Sequence, residues 1–158
     1  MRSLLRPTWM SLAVLVCIVS MAPTAGAVPA GLRGGFSSDP DQFLFGLQIE
    51  PDPIADNVHI VPSVEAGFGD DIFSLSFNGD FQYRFDTSGG VRPYAGMGVA
   101  LWWFDSDRSD DSDTEFGVNA LGGMFFGGRS DPPMFIELKL GLVEDIPDLK
   151  FVFGVNFM

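Results

Sequence analysis

Three side chains could do acid–base or nucleophilic chemistry: His59, the sole histidine of the chain, with Ser63 and Glu65. A general base must lie within hydrogen-bond reach of the group it serves. These three share one parity of an alternating stretch, so on a β-strand they face the same way. They stand four and six residues apart, roughly 13 and 20 Å along a strand. A working triad would therefore need a partner from a neighbouring strand. Without one, His59 reads as a hydrogen-bonded structural residue, and no catalytic residue is assigned. A second candidate is the acidic run Asp105-Ser106-Asp107-Arg108-Ser109-Asp110-Asp111-Ser112-Asp113. Carboxylates at this spacing could hold Ca²⁺ through oxygen ligands. In an EF-hand register, however, Asp110 takes the glycine position and Phe116 the closing glutamate position, so the run reads as a solvated loop. The sequence shows no metal cluster, phosphate loop or cofactor motif, and no cofactor is expected.

The remaining chemistry lies in charges placed on alternating segments. From Phe73 to Phe85 every odd residue except Gly79 is apolar, and every even residue is polar or charged. Successive strand side chains face opposite ways, so this segment has one oily side and one wet side. Five basic residues (Arg33, Arg84, Arg92, Lys139 and Lys150) fall on the wet parity of such segments. So do Glu50, Glu65, Asp80, Glu115 and Glu137. If that parity faces a narrow interior, these ten residues form a salt-bridge network, because buried charges persist only when paired.

Eight such segments are predicted, near 31–37, 42–50, 58–69, 72–85, 91–104, 114–127, 133–143 and 148–158. Clusters of Gly, Pro, Asp and Ser separate them, as turns require. On the oily faces lie Phe43, Phe45, Leu47 and Ile49, then Ile60, Val64, Ala66 and Phe68. Met134, Ile136, Leu138, Leu140 and Leu142 follow, with Leu149, Phe151, Phe153, Val155 and Phe157 last. The opposite faces carry glycine, small polar residues and charge. An even count of short, evenly spaced strands suits an up-and-down barrel. Lengths near 9–11 residues suit a tilted crossing of a bilayer. Either the oily face points outward to lipid, or it points inward, as in a soluble lipocalin-like barrel. Large residues on every strand would leave a soluble barrel little room for a ligand, which favours the membrane reading. Pattern alone leaves both standing.

The N-terminus supplies a compartment. Arg2 and Arg6 precede an apolar run from about Trp9 to Met21, which is short of the roughly 20 residues of a spanning helix. Ala25-Gly26-Ala27 follows as a small-x-small cleavage pattern. Residues 1–27 read as a secretory signal peptide and 28–158 as one β-barrel domain. The only cysteine, Cys17, lies within the signal, so the mature chain has no disulfide. Loss of Arg2 and Arg6 reduces nine basic residues to seven against 21 acidic ones, moving the formal charge from −12 to −14. Such acidity argues against nucleic acid. The aromatic content argues against disorder. With no apolar helix after the signal, a membrane form must be a closed barrel, since lipid tolerates no unpaired strand edge.

The signal peptide, the alternating strands, the segment Arg92-Pro93-Tyr94-Ala95-Gly96-Met97-Gly98-Val99 and the aromatic final strand resemble small outer-membrane β-barrel proteins of the OmpA/OmpX type. The resemblance covers essentially all of the mature chain. One departure is Met158 after Phe157, where such proteins usually end on Phe or Trp. The resemblance implies an all-β, eight-stranded antiparallel up-and-down transmembrane barrel in the bacterial outer membrane, with both termini periplasmic. It implies aromatic rims at Tyr83, Phe85 and Phe157 on one side and at Phe43, Trp103 and Phe116 on the other. The expected role is structural or surface-interacting, carried out by a monomer rather than an enzyme. The expected partners are outer-membrane lipid, lipopolysaccharide and the barrel-assembly machinery, with a divalent cation loosely bridging the acidic loop to lipopolysaccharide phosphates. The length leaves no room for an OmpA-like wall anchor. A narrow pore and a lipid A-modifying enzyme are the alternatives. Within the network, Arg84 is expected to pair with Asp80 or Glu65.

Overall fold

The computed structural model describes residues 28–70, 72–106, 112–127, 133–143 and 147–157. Residues 1–27, where the signal peptide is expected, the centre of the acidic loop and Met158 lie outside these residues. Eight strands form: β1 (Ala30–Ser38), β2 (Gln42–Ile49), β3 (Val58–Gly69), β4 (Ile72–Arg84), β5 (Val91–Ser106), β6 (Ser112–Phe126), β7 (Met134–Gly141) and β8 (Leu149–Phe157). They fall within a few residues of the predicted segments. Each pairs antiparallel with the next, and β1 pairs with β8, so the barrel is closed in sequence order. Closure leaves no edge strand, which is what hydrocarbon demands of a β-structure.

The alternation resolves in favour of the oily face outward. Phe43 and Phe45 on β2 are 65% and 63% exposed, whereas Asp80 on β4 and Lys139 on β7 are 0% and 1% exposed. Phe77, Phe81, Leu138, Leu140, Phe151 and Phe153 are also exposed, and Phe73 is half-buried between Phe68 and Trp103. A water-soluble fold does not surround itself with such a belt, because a soluble monomer rarely exposes an apolar patch beyond a few hundred Å². A polar interior inside an apolar wall is the arrangement of a barrel dissolved in lipid. The soluble lipocalin-like alternative is thereby overturned.

Aromatic residues gather near both ends of the strands. At the end holding the termini, Tyr83 and Phe85 meet edge to face at 5.1 Å between ring centroids. Phe157 ends β8 at the same level. At the other end Phe36 and Phe43 pack edge to face at 5.8 Å, and Phe73 against Trp103 at 6.2 Å. Girdles of aromatic residues at both water–lipid boundaries are the expected pattern of a transmembrane barrel.

The interior departs from the sequence reading in one respect. It holds not only glycine and charge but also Tyr94, Trp102, Phe125 and Phe135, all buried. The segment Leu101-Trp102-Trp103-Phe104 is apolar on both parities, so alternation could not assign it. Trp102 stacks on Phe104 within the lumen at 5.5 Å and 8° between planes. Tyr94, Phe125 and Phe135 form a second aromatic group with Leu121 and Val152.

If the belt faces lipid, Leu138→Arg in mid-β7 should cost about 2–4 kcal/mol. Urea unfolding in lipid vesicles, followed by tryptophan fluorescence, would measure it. An unchanged midpoint would mean that Leu138 does not face hydrocarbon.

Candidate functional site: a charge cluster in the lumen

The lumen site begins with Arg33. Its neighbours across both ladders are glycines, Gly46 on β2 and Gly154 on β8. Neither offers a side chain, so the guanidinium has room to cross the interior. The three buried acids repeat the device. Glu65 lies beside Gly46, Asp80 beside Gly98, and Glu137 beside Gly123. A Cβ at Gly46 would collide with the Val64 carbonyl oxygen and stand 2.9 Å from the Glu65 Cγ.

Arg33 reaches three carboxylates. Its Nη2 donates to Glu137 Oε1 at 2.8 Å, its Nε lies 2.9 Å from Glu65 Oε1, and its Nη1 lies 3.8 Å from Asp80 Oδ2. Nη1 also donates to the Ser63 hydroxyl at 3.0 Å. Lys139 donates to Asp80 Oδ2 at 2.5 Å and lies 3.7 Å from Glu137 Oε1. Lys150 pairs with Glu65 Oε2. Lys139 and Lys150 stand directly opposite each other on β7 and β8. Their ammonium groups diverge to different acids, which relieves the like-charge juxtaposition. Glu137 is further held by the Tyr94 hydroxyl, donating at 2.9 Å, and by the Gln82 amide at 3.3 Å.

Three cations thus meet three carboxylates, and none of the six residues is more than 4% exposed. Removing a charge from water costs several kcal/mol per ion, and good geometry with further hydrogen bonds is what repays it. Here the network is balanced in charge and dense in donors. The gap beside Arg33, bordered by Leu44, Gly46, Glu65 and Val152, is too small for a water molecule.

A second pair lies toward the end of the barrel that holds the termini. Arg84 donates to Glu50 Oε2 at 2.7 Å and to Gln82 Oε1 at 2.9 Å. The Asn156 amide donates to Glu50 Oε1 at 3.0 Å. This corrects the expected pairing of Arg84 with Asp80 or Glu65. Residues i and i+4 on one strand stand roughly 13 Å apart, whereas strands only about 4.8 Å apart bring partners together across the barrel. Asp80 and Glu65 go instead to Lys139, Lys150 and Arg33. The Arg84 guanidinium also lies 4.5 Å from the centre of the Phe125 ring. Arg92, of inward parity, is exposed at this rim, with its guanidinium 5.7 Å from Phe125. Glu115 is half-buried on β6.

The three candidate catalytic residues are not assembled. Ser63 accepts from Arg33, Glu65 is shared by Arg33 and Lys150, and His59 sits at the start of β3. Of the acidic run, residues 107–111 lie outside the described residues, and Asp105 is exposed at the end of β5.

No family model matches the chain, and no curated protein matches it. Solved structures do. The N-terminal β-barrel domain of Pseudomonas aeruginosa OprF aligns over 82% of this chain and 96% of its own, with a TM-score of 0.63 and 20% identity. Neisserial surface protein A aligns over 81% and 92%, at 0.59 and 17% identity. The outer membrane enzyme PagL aligns over 82% and 99%, at 0.53 and 12% identity. The fold is that of the eight-stranded outer-membrane β-barrels. At these identities the likeness carries the fold, and together with the lipid-facing belt it supports the outer membrane as the location.

Removing the hub leaves Lys139 and Lys150 to face three buried carboxylates, one negative charge too many. Arg33→Ala should cost about 3–5 kcal/mol in vesicle-based urea unfolding. Arg84→Ala, at the edge of the network, should cost only about 1–3 kcal/mol, the penalty for one buried acceptor left short of a donor. Equal effects would deny Arg33 its central place. Gly46→Val should cost about 1–3 kcal/mol by overpacking, and an unaffected midpoint would show that the glycine does not make room for the guanidinium.

Proposed function

We propose that this outer-membrane barrel has a structural or surface-interaction role and that its lumen is kept closed to ions. The observation carrying this reading is the neutral, buried set of Arg33, Lys139, Lys150, Glu65, Asp80 and Glu137, which fills the middle of the interior. An eight-stranded wall encloses only enough space for side chains. A balanced set of charges also presents no excess of either sign to draw an ion in. The reading is non-enzymatic: Ser63 and Glu65 are committed to Arg33, so neither is held ready for His59. The proposed partners are the lipid around the belt, lipopolysaccharide at the outer rim and the barrel-assembly machinery during insertion. A divalent cation held loosely by the 105–113 loop would bridge to lipopolysaccharide phosphates. The protein is read as a monomer.

Planar-bilayer recording tests the closed lumen. Wild-type protein should give no steady conductance. Arg33→Ala should open brief or sustained currents, because the loss leaves two cations facing three carboxylates and a void large enough to hydrate. Steady conductance through the wild type would overturn the sealed reading in favour of a narrow pore.

A further inference from the structure

The belt is interrupted on β4 and β5 by a groove of about 390 Å³, open on the lipid side. Its lining includes Val58, Phe81, Tyr83, Ala95 and Met97. Gln82 also borders it but turns its side chain into the lumen, so it lends only backbone to the floor. The pairing register explains the depression. Tyr83 stands opposite Ala95, and Ala95 opposite Gly122 on β6. The outer surface therefore steps from a large ring to a methyl group to none. A Cβ at Gly122 would meet nothing closer than the Tyr94 carbonyl oxygen at 3.8 Å. Phe81 and Met97, directly opposite each other, bound the groove on the side nearer mid-barrel.

We propose that this groove lodges one acyl chain of a phospholipid from the leaflet on the side of the termini. The inference rests on the lipid-facing reading of the belt, with which the groove is continuous. Its side-chain lining is apolar apart from the Tyr83 hydroxyl at the rim, and a phenol with an apolar body and a polar tip suits the boundary between chain and headgroup. Phe81 and Tyr83 form a stiff wall, while the unbranched Met97 can adapt to an irregular chain. Every neighbouring strand is already paired, so the backbone offers no edge to a protein partner. A stable protein interface also buries about 800 Å² per partner, far more than a few side chains around one slot provide. The groove lies in the half of the barrel that holds the termini, the periplasmic half on the topology that the resemblance to outer-membrane barrels implies. Phospholipid rather than lipopolysaccharide is therefore the lipid that reaches it.

Photolabelling tests the assignment. The full barrel is folded into phosphatidylethanolamine and phosphatidylglycerol vesicles containing a phospholipid with a diazirine on its acyl chain. Adducts are mapped by peptide mass spectrometry, and an unboiled gel confirms folding. Phe81, Tyr83, Ala95 and Met97 should label several-fold more than Leu32 on the far wall and Leu47 on β2. Ala95→Phe should bring the groove down to the level of that wall, with Ala95→Leu as the milder filling should the larger ring prevent folding. Uniform labelling, an excess that survives filling, or an excess seen only with a labelled lipopolysaccharide would each overturn the proposal. Absence of label from Leu32 and Leu47 as well would instead refute the lipid-facing belt, so the two failures are distinguishable.

Discussion

A single guanidinium organises the interior of this barrel. Arg33 meets Glu65, Asp80 and Glu137 from β1, although these acids belong to β3, β4 and β7. The planar fork of arginine suits this work, because it directs several donors at once and stays charged when buried. A lysine at the same place would satisfy fewer acceptors and would lose its proton more readily. The glycines flanking Arg33 follow from that demand. A side chain that must cross the lumen needs neighbours that do not compete for the space. The wall is thin where the charge is long.

The two lysines complete the balance by a different route. Their Cα atoms oppose each other on adjacent strands, an unfavourable placement for like charges. Each finds its own carboxylate, and Lys150 also lies 4.7 Å from the centre of the Trp102 ring. A cation over an indole face recovers part of the hydration lost on burial. The buried aromatic groups therefore do more than fill volume. Trp102 and Phe104 lie on one side of the charge cluster along β5, and Tyr94 on the other. The lumen is layered, with apolar rings enclosing the ionic middle and lowering the dielectric around it.

Most of the fold was legible in the sequence, because a membrane barrel writes its two faces into alternate residues. Phe43, Phe45, Leu138 and Phe153 are found on the side their parity required. The identity of the charged set was legible for the same reason: Arg33, Glu65, Asp80, Glu137, Lys139 and Lys150 all lie on the inward parity. What the sequence could not supply was the pairing within that set. Parity says which face a residue occupies, whereas partners depend on strand tilt and on how far each side chain reaches across the barrel. Arg84 finds Glu50, 34 residues away, rather than Asp80 on its own strand. The buried aromatics were missed where both parities were apolar, as at Trp102 beside Trp103. For Tyr94 and Phe135 a signal was available in the glycine opposite, Gly123 on β6 and Gly154 on β8, whereas Trp102 stands between Ser76 and Glu115.

The separations in sequence within the ionic middle bear on how the barrel comes to exist. Arg33 and Glu137 are 104 residues apart, and Glu65 and Lys150 are 85 apart. Of the six, only Glu137 and Lys139 form a neutral subset within one hairpin, β6–β7. An intermediate lacking β7 and β8 would carry Glu65, Asp80 and Arg33 without either lysine, and its net negative charge would face a medium that solvates it poorly. Neutrality arrives only when the last strands close against β1. Bringing distant segments together is slow, because chain entropy is lost before the contacts form. Here the seam between β1 and β8 is also where the last lysine, Lys150, joins the acids of the earlier strands. An N-terminal assembly that still lacks β8 has not balanced the charge of its interior.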